Sequence, residues 1–395
     1  MHAVVIGGGI VGLASAHALT ERGVRVTVFE KGSLGSGSTG RSAGGIRGQF
    51  STPVNVALSR ASFEVWDEFE ELFGVDISHR RVGYLFLARE ENTAERLREN
   101  VAMQNDHGIP SEFLDPAEVQ EYCGGLRPDC FAGASYSSTD GFADPNLAVQ
   151  GYARAAREAG VEVRTGTQVT GILRDGGRVV GVEISEAQSA SGNRTSSDDE
   201  GETIDADYVV NAAGPWARQV GEMDGVSLPV APKRRRMVIV DPEEPVPETD
   251  PLTIDLDTGS YFRPEREGSA LVGGQFGEDP DADPERYRQG IEMDWAAEAV
   301  ERAGEWTSYF GPETGIKRGW AGLYAVTPDN HPIIEETVSG FICAVGFSGH
   351  GFMHAPATGK LVAELICDGE ASLVDIGSLG SERFERESSE ERNVV

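Results

Sequence analysis

The residues with the clearest chemical purpose stand at the start of the chain. Gly7-Gly8-Gly9-Ile10-Val11-Gly12 follows the apolar run Ala3 to Ile6 and precedes a helical stretch, Leu13 to Arg22. A second apolar strand, Val24 to Glu30, comes next. Strand, glycine turn, helix and strand within about 30 residues is the context of a dinucleotide-binding turn. Gly7 permits the tight turn, Gly9 lets the main chain approach a pyrophosphate, and Gly12 lets the helix sit close to the strand. The helix start adds free N–H groups and the positive end of its dipole. Glu30, 18 residues after Gly12, can accept from both ribose hydroxyls and should reject a 2′-phosphate, which disfavours NADP.

The stretch Gly32 to Gly48 holds seven glycines, five serines or threonines, Arg41 and Arg47. An NAD-binding unit would continue with another strand and helix. A glycine-rich loop directly after the ribose glutamate looks instead like the flavin and pyrophosphate cradle of FAD-dependent amine oxidoreductases. Further on, the apolar strand Tyr208 to Val210 runs into Asn211-Ala212-Ala213-Gly214-Pro215-Trp216. Small side chains there let main chain pack against a nucleotide, and Pro215 favours a helix start.

Periodicity supplies the supporting elements. Helices are expected at Asn55 to Phe73, Asn92 to His107 and Leu147 to Ala159, the last started by Asp144-Pro145-Asn146. Strands are expected at Val82 to Ala88, Val161 to Val163, Val169 to Ile172, Val179 to Ile184 and Ile204 to Val210. The Ser/Asp-rich insertion Ala187 to Glu202 reads as an exposed, mobile hairpin tip. Short β-type runs at Met237 to Val240, Leu252 to Leu256, Tyr261-Phe262 and Ala270 to Gly273 suggest an inserted antiparallel sheet. Within that region Lys233-Arg234-Arg235-Arg236 reads first as ion-paired sheet surface.

The last third adds Gly322-Leu323-Tyr324-Ala325-Val326-Thr327-Pro328-Asp329-Asn330-His331-Pro332, the strand Phe341 to Val345, and Gly346-Phe347-Ser348-Gly349-His350-Gly351-Phe352-Met353. With the N-terminal glycine turn, the Ser38-Thr39-Gly40-Arg41 loop and the Asn211 to Trp216 segment, this resembles the D-amino-acid oxidase superfamily of flavoproteins. It is most similar to the sarcosine oxidase, dimethylglycine dehydrogenase and proline dehydrogenase β-subunit group. The resemblance reaches about Leu373. It implies an α/β fold: a discontinuous Rossmann-like FAD-binding domain (1–78, 145–224, 319–378) and an inserted α+β substrate domain (79–144, 225–318) on a mainly antiparallel sheet. Residues 379–395 are expected to form a flexible acidic tail.

The resemblance implies non-covalent FAD, because Gly322 stands where relatives carry a flavin-linking cysteine. Cofactor contacts are expected from Gly7, Gly9, Ile10, Val11, Gly12, Glu30, Lys31, Ser38, Thr39, Arg41, Ser42, Val169, Ala212, Gly214, Trp216, Gly346, Gly349, His350, Gly351, Phe352 and Met353. The Ser-Gly-His-Gly turn and the helix after it can aim N–H groups at the side of a flavin where negative charge collects. The substrate site is expected at Arg47, Tyr261, Tyr324 and His350, with Arg47 binding a carboxylate and Arg263 or Arg318 as its helpers. A lysine that promotes oxygen reaction in the monomeric oxidase is replaced near Val272 by an apolar residue, and the lysine after the Gly-His-Gly turn is Met353. Where Tyr324 lies, the glycine and D-amino-acid oxidase branch has an arginine. The implied reaction oxidises the C–N bond of a small secondary or N-alkyl amino acid, such as sarcosine or proline, by hydride transfer to flavin N5. A dehydrogenase is favoured over an oxidase. The competing readings are a flavin 2-hydroxy-acid or glycerol-3-phosphate dehydrogenase, and a non-catalytic FAD scaffold or electron-transfer subunit.

Charge sets the outer limits. The chain of 395 residues has a formal net charge of −31 and only four lysines among its 34 basic residues. So acidic a surface repels nucleic acid and anionic membranes. Its acidic runs, such as Glu64 to Glu71, Asp241 to Asp257 and Glu382 to Glu391, read as a coat, as in a protein from a high-salt cytoplasm. No metal site, leader or membrane span is expected, and widely spaced Cys123, Cys130, Cys343 and Cys367 read as reduced thiols. The expected setting is the cytoplasm. The expected partners are a small amino-acid or amine substrate and an electron acceptor, with room for a second subunit or an oligomer.

Overall fold

The computed structural model describes residues 1–187, 201–385 and 389–394. Its first sheet has six strands, in the order Ile333–Val338, Phe341–Val345, Tyr208–Asn211, His2–Ile6, Arg25–Glu30 and Glu162–Thr165. All neighbours are parallel except the first two, which form a hairpin. His2–Ile6 and Phe341–Val345 are buried along their whole length, as strands covered on both faces must be. The helices Ile10–Glu21 and Gly351–Cys367 cross on one face so closely that a Cβ on Gly359 would lie 2.6 Å from the Ala14 carbonyl oxygen. The other face is covered by a three-stranded sheet, Thr167–Asp175, Arg178–Glu186 and Glu202–Asp205, through Val169, Val179, Val182 and Ile184. The stems of the expected hairpin therefore pair, Ile184 opposite Glu202. Its tip, 188–200, lies outside the described residues.

A second sheet has eight strands: Gly315–Val326, Ala231–Asp241, Ala270–Gly273, Tyr261–Pro264, Leu252–Asp255, Tyr84–Ala88, Gly133–Ser137 and Ser111–Leu114. It is antiparallel except where Leu252–Asp255 runs parallel to Tyr84–Ala88. The alternation of side chains along a strand decides what each face does. Leu85, Leu87, Val238, Phe262 and Val272 point to a core closed by the helix Met293–Trp306. Tyr84, Phe86, Met237, Ile254, Tyr261 and Leu271 point to the opposite side. The fold is thus mixed α/β, with a mainly antiparallel second sheet.

Several sequence expectations need correction. Ile204 to Val210 is two strands in two different sheets, broken at Ala206-Asp207. Asn55 to Phe73 is two helices, Pro53–Asp67 and Phe69–Phe73, meeting at Glu68. The domain boundary expected at 318/319 falls inside the strand Gly315–Val326, which pairs along its length with Ala231–Asp241 in the second sheet. The tail is not free over its described residues: Glu391 is fully buried and Asn393 is buried. Asp329 and Arg383 form a buried ion pair at 2.7 Å that holds the turn before it. All four cysteines are free, Cys123 and Cys343 buried and the other two half-buried. Among the described residues no helix is long and apolar enough to cross a membrane, and no group of His, Cys, Asp or Glu could hold a metal ion.

Candidate active site

A cavity of about 490 Å³ opens along the carboxyl ends of the first sheet, a volume typical of cofactor clefts. Its first wall is the glycine turn. Gly7 sits at φ +111°, and a Cβ on Gly12 would lie 2.0 Å from the Gly7 carbonyl oxygen, so helix and strand touch only because both residues lack side chains. The Ile10 amide donates to Thr39 Oγ1 at 3.2 Å, tying the helix start to the glycine-rich loop. Glu30 lines the cavity and accepts from the Gly8 and Gly32 amides at 2.8 and 2.7 Å. Each oxygen keeps acceptor capacity, so the carboxylate both fastens the loop and can meet a hydroxyl.

Lys31 lies 3.9 Å over the Trp216 ring, and both side chains engage Glu285, the indole nitrogen at 2.6 Å. The guanidinium of Arg41 is committed to loop carbonyls, including that of Gly37 at 3.0 Å, and to Gln289 at 3.0 Å. It shapes the cradle rather than offering a free charge. Ser38, Ser42, Val169, Ala212, Gly214, Gly346, Gly349, Gly351 and Phe352 complete the expected lining. Of the remaining expected cofactor contacts, Gly12 lies behind the wall, and His350 and Met353 line a neighbouring cavity instead.

That neighbour is a pocket of about 70 Å³. Arg47, Tyr261, Tyr324 and His350, drawn from four separate stretches of sequence, all line it. It shares Ser42, Tyr324, Ser348 and Gly349 with the larger cavity, so the two meet at that junction. Three tyrosines form its walls, each laid over a glycine. A Cβ would lie 1.9 Å from the Tyr84 hydroxyl on Gly45, 2.2 Å from the Tyr261 ring on Gly273, and 2.3 Å from the Tyr324 ring on Gly349. Burial pushes all three phenols above their ordinary range.

Arg47 is buried, stacked over Phe50 at 3.9 Å and facing Phe86 at 5.2 Å. Burial draws its guanidinium down from its usual value, but an arginine stays charged in proteins. Asp140, buried nearby, is pushed up to about 6 by the same desolvation, against bonds from the Gly48 amide (2.8 Å) and the Gln49 side chain (3.2 Å). His350 is buried, and neither of its ring nitrogens has a hydrogen-bond partner among the described residues. Burial, with smaller contributions from His354 and Arg47, holds it well below the usual imidazole range, so it is neutral.

Other expectations resolve differently. Arg263 pairs with Glu265 at 2.8 Å and stacks on Phe142, while Arg318 packs on Trp320. Neither lines either of these two cavities, which leaves Arg47 as the arginine of the small pocket among the described residues. Val272 points into the opposite core, so it cannot stand where a pocket lysine would; its neighbour Gly273 is on the pocket side, under Tyr261. Lys31 is the one lysine lining either cavity among the described residues. The basic run is ion-paired sheet: Lys233 with Asp281 at 2.9 Å, Arg234 with Glu292 at 3.2 Å and Arg235 with Asp279 at 2.7 Å. Arg235 also lines the large cavity, 5.3 Å from the Tyr324 ring. Sequence reasoning missed Tyr84, Leu252, Ile254 and Val394 in the small pocket and Tyr287 and Gln289 in the large one. Tyr84 and Leu252 sat in expected strands whose pocket-facing side was unknown. Val394 carried no signal.

Residues 2–365 match the family described as FAD dependent oxidoreductase (DAO). The chain is 31% identical to the FAD-dependent oxidoreductase domain-containing protein 1 of Xenopus laevis, over 99% of this chain and 84% of that one. It is 31% identical to the glycine oxidase of Geobacillus kaustophilus, over 92% of each. Among solved structures, the L-proline dehydrogenase from P. horikoshii superposes with a TM-score of 0.85 at 33% identity, covering 98% of both chains.

Proposed function

Because the chain belongs to the FAD dependent oxidoreductase family, and so is an FAD-dependent oxidoreductase, we propose that it oxidises the C–N bond of a small secondary or N-alkyl amino acid. The observation that carries this reading is the meeting of Arg47, Tyr84, Tyr261, Tyr324 and His350 around a pocket of about 70 Å³ that opens onto the cofactor cavity. One buried guanidinium suits one carboxylate. A phosphate ester would call for several basic side chains, and among the described residues the small pocket has one arginine and no lysine, which weighs against a glycerol-3-phosphate dehydrogenase.

The residues present fit FAD. The helix start at Ile10, Glu30 and the Ser38 to Ser42 loop would hold its nucleotide and pyrophosphate. The segments Gly322 to Tyr324 and Gly346 to Phe352 would hold its ring, without a covalent link at Gly322. Bound FAD supplies the two-electron oxidising chemistry. The chain supplies the rest. Arg47 anchors the carboxylate and so sets which carbon of the substrate faces the junction. The tyrosine walls exclude water. The buried positive charge of Arg47 disfavours a second positive charge beside it, so an amine bound there is favoured in its neutral form, and neutral His350 does not offset that bias. The N-terminal end of the helix Gly351–Cys367 favours negative charge at the junction.

Among the described residues no lysine stands beside the junction, which supports a dehydrogenase over an oxidase. With the boundary moved off 318/319, the same reading assigns 1–78, 145–224 and 327–378 to cofactor binding and 79–144 with 225–314 to the substrate, the strand Gly315–Val326 passing from one to the other. It takes the protein to act in the cytoplasm, passing electrons to an acceptor or a partner subunit. The test is anaerobic mixing of the holoenzyme with sarcosine, proline, glycine and 2-hydroxy acids. Bleaching of the oxidised flavin by the secondary amino acids, and faster turnover with a dye than with oxygen, is expected. No bleaching by any amine would leave the non-catalytic scaffold as the better reading.

A further inference from the structure

The segment Ser389 to Val394 is bound with a density of hydrogen bonds that a loose end does not have. The Glu391 carboxylate is fully buried. It accepts from the Ser51 amide and hydroxyl (2.8 and 2.7 Å), Thr52 Oγ1 (2.7 Å), Asn55 Nδ2 (3.1 Å) and the Asn393 amide (3.0 Å). These donors surround the start of the helix Pro53–Asp67, whose positive end also favours the anion. A buried carboxylate is costly unless its oxygens are satisfied, and here they are satisfied with no cation in contact among the described residues.

The main chain is fixed as well. The Glu391 amide donates to the Asp329 carbonyl at 3.0 Å, Asn330 Nδ2 donates to the Glu391 carbonyl at 3.0 Å, and the Arg392 amide donates to Ser51 Oγ at 2.8 Å. From that latch the chain runs to the small pocket. Arg47 donates through one terminal nitrogen to the Gln49 carbonyl and through the other to the Asn393 carbonyl. Val394 is part of the pocket wall.

We propose that this segment is a working wall of the substrate pocket: Glu391 latches it, the Asn393 carbonyl sets the orientation of Arg47, and Val394 limits the room for groups on the substrate. It rests on reading the small pocket as a carboxylate-substrate site. Two of the five N–H groups of the guanidinium are spent on main-chain carbonyls. That fixes its plane against Phe50 and leaves the other three N–H groups to meet a ligand. Asn393 and Glu391 are positioning residues in this scheme, whereas Val394 is in contact with the ligand.

The test uses holoenzyme and two carboxylates, acetate and benzoate, whose binding is read as perturbation of the flavin absorption without any turnover. Val394→Ala is expected to leave acetate binding within about twofold and tighten benzoate by about tenfold, while Val394→Phe weakens benzoate at least as much. Glu391→Ala is expected to weaken both carboxylates alike by about tenfold, through loss of a fixed charge-assisted contact, with flavin content unchanged. Unaltered affinities and an unaltered acetate-to-benzoate ratio in the Val394 pair would overturn the proposal, and that pair decides the matter even if the Glu391 variant fails to fold. If these variants shift carboxylate affinity but no amine bleaches the flavin, the wall stands and the reaction falls. If amines bleach the flavin and the variants change nothing, the wall falls alone. Failure of either carboxylate to perturb the wild-type flavin would remove the premise and overturn both.

Discussion

The rings of His350 and His354 meet edge to face with centroids 5.1 Å apart, both wholly inside the protein and one turn apart at the start of the same helix. Two imidazoles so placed cannot both be charged. His354 Nε2 bonds Ser59 Oγ at 2.9 Å, and burial, followed by the nearby Arg47 charge, pushes it down to about 3. In the unfolded chain it titrates near 6.5. The unfolded state therefore binds a proton that the native state refuses, and stability falls as pH drops from about 6.5 toward 3.

His354→Gln removes that proton from the balance. Above pH 6.5 the pH dependence of the variant should match that of the parent. Below it, the parent should lose about 1.4 kcal/mol per pH unit more than the variant does. Urea unfolding at a series of pH values measures this, and parallel stability curves would refute it.

The small pocket should be silent across the alkaline range. Tyr84, Tyr261 and Tyr324 are held above their usual range by burial, His350 is held far below its own, and Arg47 stays charged. The rising limb of kcat/KM with pH must then come from the amine of the free substrate. It should follow a single ionisation whose midpoint moves when sarcosine is exchanged for proline. A midpoint that stays put with both substrates, or a flat profile, would mean that an enzyme group or no group at all governs the rate.

Arg47→Lys keeps the charge and loses the planar fork that stacks on Phe50 and bridges two carbonyls. A charge-assisted hydrogen bond contributes about 1.5–3 kcal/mol. Thus kcat/KM should fall about 10- to 100-fold, mainly through KM, with FAD still bound. Steady-state kinetics on the flavin-loaded variant would show an unchanged KM if the carboxylate is anchored elsewhere.

Gly12→Ala should cost the protein its cofactor. The new Cβ would sit 2.0 Å from the Gly7 carbonyl oxygen, and main chain is what it meets. The helix must move off the strand and carry the N–H groups around Ile10 away from the phosphates. FAD affinity should drop by at least about tenfold, a strain of about 1–3 kcal/mol at a turn being enough. Gly124→Ala, where a Cβ meets nothing within 4 Å, is the control. Equal flavin-to-protein ratios in the two variants would contradict the argument.

What the sequence revealed depended on range. The glycine turn was legible because its parts lie within 30 residues and each glycine answers a local steric demand. Arg47, Tyr261, Tyr324 and His350 were found one by one through motif resemblance, yet nothing local says that they meet. Their meeting depends on the pairing of Tyr261–Pro264 with Leu252–Asp255 and Ala270–Gly273. The same pairing decides that Gly273, not Val272, faces the pocket, a distinction of one residue that inverts a strand face. Tyr84 enters through the parallel pairing with Leu252–Asp255, about 170 residues away in the chain. Glu391 looked like one more member of an acidic coat, because only the tertiary structure brings Ser51, Thr52 and Asn55 around it.

The rest of the acidic coat leads to a prediction about salt. Among the described residues most of the ion pairs that balance it have at least one exposed partner, and in pairs such as Arg302–Glu298 and Arg154–Glu158 both are exposed; such pairs contribute little. The 34 basic residues cannot neutralise 65 acidic ones in any case, so the folded chain carries a net repulsion that the expanded unfolded chain relieves. Salt shortens the Debye length to roughly 3 Å at 1 M. That screens the long-range repulsion more than it weakens buried pairs such as Arg383–Asp329. The thermal midpoint should therefore rise steadily from dilute buffer to molar potassium chloride, and Glu391→Ala should show the same slope, because a buried, fully bonded carboxylate is not part of that field. A midpoint highest in dilute buffer would mean that attraction between opposite charges, rather than repulsion among like ones, dominates the surface.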